Sequence, residues 1–125
     1  MVTPSRGSVV LVRFPFSDLS QSKLRPAIVL GDAGRGDWIL CQVTSKPYAD
    51  SEAVELTNEN FESGSLQITS YARLGKLFTS NVALMTQEVG KLKVSDLDQI
   101  VTALVKIVNP DEKNKEENVK SDEEV

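Results

Sequence analysis

The sequence predicts a small, mainly β barrel closed by one C-terminal helix. Short runs rich in Val, Ile and Phe recur between turn signals, the apolar period changes to helical spacing near residue 97, and 125 residues suffice for one core without a disulfide or metal staple. A second domain does not fit this length.

The first strand is predicted over residues 8–16 (SVVLVRFPF), bounded by Gly7 and the polar run Ser17 to Lys23, with Pro15 placing its end near a sheet edge. Arg25-Pro26 opens a second, continuously apolar strand (AIVLG), and the glycine-rich segment Asp32 to Asp37 reads as the turn into a third strand, Trp38 to Ser45, stopped by Pro47. Ala53 to Leu56 alternates as a short edge strand. Residues 66–79 and 82–89 carry further strand-like alternation, interrupted by Gly75 and by Thr79-Ser80-Asn81. Leu97, Ile100, Val101, Leu104, Val105 and Val108 then fall on one helical face. Ser95 is the expected N-cap, with Asp98 reaching back, and Asn109-Pro110 the expected stop. The domain is expected to span residues 1–109, followed by a disordered acidic tail over 110–125.

Composition removes several chemistries. With no His, imidazole acid/base catalysis, a Ser-His-Asp triad and His metal ligation are excluded, and the single Cys41 cannot build a thiolate zinc site or an internal disulfide. No apolar run approaches the ~20 residues of a membrane span, and no leader pattern opens the sequence, so a cytoplasmic protein without membrane contact is expected. The formal charge of -4 is uneven: the tail holds seven acids against three Lys, while residues 1–48 carry six cations against three Asp. That half is compatible with an anion-binding face.

Individual motifs were weighed against plainer readings. The spacing of Gly31, Gly34 and Gly36 fits neither a P-loop nor a dinucleotide fingerprint and reads as a hairpin turn. Asp50, Glu52, Glu55, Glu59 and Glu62 lack calcium-loop spacing and read as a solvated loop, and Phe14 and Trp38 read as core. Arg25 stands apart, because the following proline restricts its backbone to extended geometry and so aims a planar five-donor fork reproducibly. Pairing with Asp18 or Asp32 is an equally good reading from sequence. Thr44-Ser45 at a strand end fits phosphate oxygens or a turn.

Taken in order, Gly7-Ser-Val-Val-Leu-Val, Phe14-Pro15-Phe16, Lys23-Leu-Arg25-Pro26-Ala-Ile-Val-Leu and Val43-Thr44-Ser45 resemble the MazF/PemK-like toxin family. The similarity continues through Gly64 to Ser70, Lys76 to Thr79 and Gly90-Lys-Leu, covering about residues 5–109. It implies an SH3-like or CcdB-like barrel and a homodimeric toxin of a toxin–antitoxin pair. It further implies metal-independent, cofactor-free cleavage of single-stranded RNA at short motifs, leaving a 2′,3′-cyclic phosphate and a 5′-hydroxyl. The family's functional Arg and Thr fall on Arg25 and Thr44. Ser20, Lys23, Ser45 and Lys46 are the expected RNA contacts around them. A cognate antitoxin is the expected protein partner, with promoter DNA bound only through it. Ser8 departs from the acidic residue many relatives carry after the glycine. Alternatives are a non-enzymatic gyrase poison of the CcdB branch and a catalytically silent binding module.

Overall fold

The computed structural model describes residues 2–15, 22–47 and 51–110. Strands β1 (Ser8–Pro15), β2 (Ser22–Gly34), β3 (Asp37–Thr44), β4 (Val54–Leu56), β5 (Phe61–Gly64), β6 (Ser70–Asn81) and β7 (Met85–Leu92) precede helix α1 (Val94–Val108). They form one curled antiparallel sheet in the order β4-β6-β3-β2-β1-β7-β5.

The three central strands are apolar on both faces, which is why they read as unbroken runs rather than alternating ones. Val9, Ile28, Leu30, Cys41 and Val43 point to one side, where Leu97 and Ile100 of α1 complete the larger core. Their neighbours Val10, Val12, Ala27, Val29 and Leu40 point to the other and are buried with Met85, flanked by half-buried Phe14, Trp38 and Phe78. The helix supplies only one stripe, in keeping with β-branched residues that need tertiary packing to stay helical.

Strand β1 lies between β2 and β7, but its β7 ladder stops at Val12, so its end at Pro15, opposite Ser22, has a neighbour on the β2 side alone and is a local edge, as expected. Several other expectations are corrected. Strand β2 begins at Ser22, before Pro26, by pairing with β1. The turn after it is only Arg35-Gly36, both at positive φ (58° and 82°), as a tight hairpin requires, with Gly34 N–H donating to Asp32 Oδ1 at 2.7 Å. Strand β6 runs through Gly75 to Asn81: the adjacent β3 residues Cys41 and Gln42 pair with Leu77 and Arg73, so Leu74-Gly75-Lys76 form a bulge that bends the strand without ending it.

Ser95 does not cap the helix either. The cap position is Lys93, with no side-chain bond, and the start is held from outside. Asn60 accepts from Lys93 N–H at its carbonyl (2.9 Å) and donates from Nδ2 to Asp96 Oδ1 (2.9 Å), while its Oδ1 accepts from Thr57 N–H (2.7 Å). One side chain therefore joins the turn before β5 to the helix N-terminus, a long-range link that local capping rules do not contain. The tail beyond residue 110 and the segment 16–21 lie outside the described residues.

Strand β5 crosses β7 at very close range. A Cβ at Gly64, whose φ is +64°, would collide with the Val89 carbonyl, whereas one at Gly31 would meet nothing within 4 Å. Gly64→Ala should cost about 2 kcal/mol or more through overpacking and backbone strain, and Gly31→Ala less than about 0.5 kcal/mol. Urea midpoints of the two variants, read at unchanged m, check this contrast.

Candidate active site

Arg25 and Thr44 reach the same place by register. Arg25 pairs with Val12 of β1, and the β2–β3 ladder ends at Ala27 opposite Gln42. Continuing that register by two residues brings Arg25 level with Thr44, and alternation sends both side chains to the face that holds Ala27 and Leu40. Both are half-buried and line one cleft of about 340 Å³, together with Lys23, Ser45 and Lys46. Its remaining wall is mostly apolar: Leu24, Pro26, Val43, Leu66 and Ile68, with Ser70.

The described lining residues of the cleft include three cations, Lys23, Arg25 and Lys46, and no carboxylate, in a protein of net charge -4. The proposed pairing of Arg25 with Asp32 does not occur. Asp32 sits seven residues along β2, roughly 23 Å away at strand rise, and accepts the Gly34 N–H in the hairpin turn.

Thr44 takes the turn-forming role that its sequence position allowed. Its Oγ1 accepts from Lys46 N–H at 3.2 Å, a turn-forming bond that fixes the hydroxyl oxygen. The hydroxyl proton is left to donate to another group, such as a phosphoryl oxygen in the cleft. Across the cleft, the loop between β5 and β6 is held by Gln67 N–H donating to Ser65 Oγ (3.1 Å) and Ser70 Oγ–H donating to the Ile68 carbonyl (3.1 Å). With Gln67 at φ 70°, this loop presents Ile68 at 62% exposure, and Leu24, which lines the same cleft, is exposed to 43%.

Of the expected site residues, the cleft brings together Arg25, Thr44, Lys23, Ser45 and Lys46. Ser20, and Asp18 as a loop carboxylate, lie outside the described residues. The wall formed by Leu66, Ile68 and Ser70 was not anticipated as part of the site, although the Gly64 to Ser70 segment carries part of the family resemblance. Arg73 was missed as well. Its Nη1 donates to Gln42 Oε1 at 3.4 Å, two residues up β3 from Thr44.

The helix-backed, curled half-barrel with this cleft at its strand ends falls, by the family that its sequence matches, among the toxins of toxin–antitoxin systems. Residues 5–108 match the family described as PemK-like, MazF-like toxins of type II toxin–antitoxin systems, and the chain belongs to that family. The fold is also that of MazF in a MazE–MazF crystal structure from Deinococcus radiodurans, with TM-score 0.68 and 19% identity over 86% of this chain and 97% of that one. An endoribonuclease in complex with its cognate antitoxin, from a mycobacterial species, gives TM-score 0.63 and 17% identity over 86% and 95%. The Mycobacterium tuberculosis toxin MazF-mt6 gives 0.61 and 16% over 78% and 92%. No curated protein matches the sequence significantly.

The Thr44–Lys46 bond closes an exposed turn, so its loss should be mild. Thr44→Val is expected to reduce stability by about 1 kcal/mol or less, with Thr44→Ser close to wild type. Urea unfolding of both variants measures it and also shows whether any loss of activity at this position arises from unfolding.

Proposed function

We propose that the protein is the endoribonuclease toxin of a toxin–antitoxin pair, cutting single-stranded RNA at short sequence motifs without a metal or other cofactor. The observation that supports this best is the meeting of Arg25 and Thr44 in one cationic cleft. In the proposed reaction the RNA 2′-hydroxyl gives its proton to water and its oxygen attacks the adjacent phosphorus. The P–O5′ bond breaks and the departing oxygen takes a proton from water, leaving a 2′,3′-cyclic phosphate and a 5′-hydroxyl. Negative charge accumulates on the nonbridging oxygens, and Arg25 supplies planar, permanently charged donors to them. Thr44 donates its hydroxyl proton to one of the same oxygens and holds it in line for attack. Lys23 and Lys46 draw the flanking phosphates into place, with Ser45 and Ser20 as further polar contacts.

The proposed partners follow from the same surface. A cognate antitoxin would lay an acidic segment across the cleft and compete with RNA for Arg25 and the lysines. Promoter DNA would be reached only through that antitoxin. A homodimer would cover apolar side chains that α1 leaves exposed, Val105, Ile107 and Val108. A cytoplasmic site of action is proposed to match an mRNA substrate.

Primer extension across a long unstructured RNA, with EDTA present, should reveal discrete cuts. Arg25→Ala should lower the rate about 10²–10³-fold, and Arg25→Lys should restore little of it, because an ammonium cannot reproduce a planar two-point contact. Substrate affinity should decline with added salt as phosphate contacts are screened. Cutting that survives Arg25→Ala would falsify the site assignment. Inhibition of DNA gyrase by a protein that leaves RNA intact would replace the nuclease with a gyrase poison.

A further inference from the structure

We infer that a second pocket on the same face of the sheet is a nucleobase subsite selective for guanine; this rests on the nuclease reading above and assigns that site its specificity. Phe14, Gln42, Lys76, Leu77 and Phe78 line a hollow of about 170 Å³. The rings of Phe14 and Phe78 meet at 4.7 Å between centroids, tilted by 57°, and both remain half-buried. Half-buried aromatic rings offer a π-face on which any base can stack. Gln42 lies two residues from Thr44 on the same face of β3, about 7 Å along the strand, so the pocket adjoins the cleft that Thr44 lines.

Discrimination comes from the polar rim. A guanidinium has donors only, so the Gln42 atom facing Arg73 Nη1 at 3.4 Å is its carbonyl oxygen. With Oε1 engaged there, Gln42 presents its amide N–H₂ to a ligand, and Lys76 adds a second donor from the β6 bulge. A glutamine normally recognises adenine by accepting from N6 while donating to N7, and here the accepting oxygen is turned toward Arg73, which is not among the residues lining the pocket. Guanine presents two adjacent acceptors, N7 and O6, which match two donors, whereas the amino groups of adenine and cytosine would face them donor to donor. Cationic Lys76 and Arg73 also suit a polyanion better than an apolar peptide.

The test has two arms. In the first, the cut positions of the wild-type protein on a long unstructured RNA should share a guanine at one fixed distance from the scissile bond. Gln42→Leu should reduce that preference about tenfold and Lys76→Ala by a smaller factor, with cutting elsewhere retained. In the second arm, binding of uncleavable 2′-O-methyl pentamers is measured by fluorescence anisotropy. UUGUU should bind about tenfold more tightly than UUAUU to wild type, and equally to Gln42→Leu. Both variants sit at half-exposed or exposed positions, and thermal melting verifies their fold. Cutting without a guanine preference, or equal affinities for the pentamers, overturns the subsite while leaving the nuclease in place. Absent cutting combined with a Gln42-dependent preference for UUGUU overturns the nuclease and retains the subsite. If Gln42→Leu weakens only antitoxin binding, the pocket is a protein contact and the inference fails.

Discussion

The arrangement of the cleft depends on a proline in an interior strand. Strand β2 lies between β1 and β3, where a residue without an N–H is normally excluded. Pro26 is accommodated because it faces Leu11 on the β1 side, while on the β3 side the ladder ends one residue later, at Ala27 opposite Gln42. Beyond that pair the strands continue without pairing, and the cleft lined by Arg25, Pro26, Val43 and Thr44 opens there. The same residue thus ends the ladder and keeps its predecessor extended, so that Arg25 is aimed by backbone geometry. A slip of one residue in register would turn Arg25 to the opposite face, where Ile28 and Leu30 are packed.

Overall charge conceals the property that matters locally. The sequence is acidic, yet the carboxylates Glu55, Glu59 and Glu62 lie on or beside β4 and β5, near the sheet's two edges, and Asp96 and Asp98 lie at the helix start. The cations Lys23, Arg25 and Lys46 stand where the central strands end. These carboxylates lie on other elements than the cleft's cations, and Asp32, which shares β2 with Lys23 and Arg25, sits at its far end, so charges this far apart are substantially screened at physiological ionic strength.

Much of this was legible because period and punctuation are local. The apolar runs of β1 to β3, the hairpin glycines and the helical stripe from Leu97 to Val108 are each written within a dozen or so residues. So was the special status of Arg25, since Pro26 is its neighbour. What escaped prediction depends on distant partners. Strand β5 forms against β7 through glycines at positions 64 and 90, and the helix start is tied by Asn60, 36 residues before Asp96. Both the β6 bulge and the Arg73–Gln42 contact require knowledge of which strand lies beside β3. Ser8 also becomes intelligible only in three dimensions. It is fully buried and its Oγ accepts from Ser5 N–H at 3.0 Å, so it serves the turn before β1 and lies away from the cleft.

The proposed chemistry also fits a protein with this composition. A nuclease that activates water needs a base or a metal, and with no His and one buried Cys this sequence leaves chiefly carboxylates to supply either, none of which is among the described lining residues of the cleft. RNA carries its own nucleophile beside each phosphate, so the attacking group arrives already tethered, and much of the entropic cost of bringing it to phosphorus is met by the substrate. What remains is removal of the 2′ proton, protonation of the departing 5′-oxygen and stabilisation of charge on the phosphoryl oxygens, and the last is a task for fixed donors. Arg25, Thr44 and the flanking lysines are donors, and Thr44 has its own oxygen committed to Lys46 N–H. On this reading the donors that line the cleft and the use of the substrate's 2′-oxygen belong together, and the aromatic pocket beside it gives a base somewhere to stack once the phosphate has been gripped.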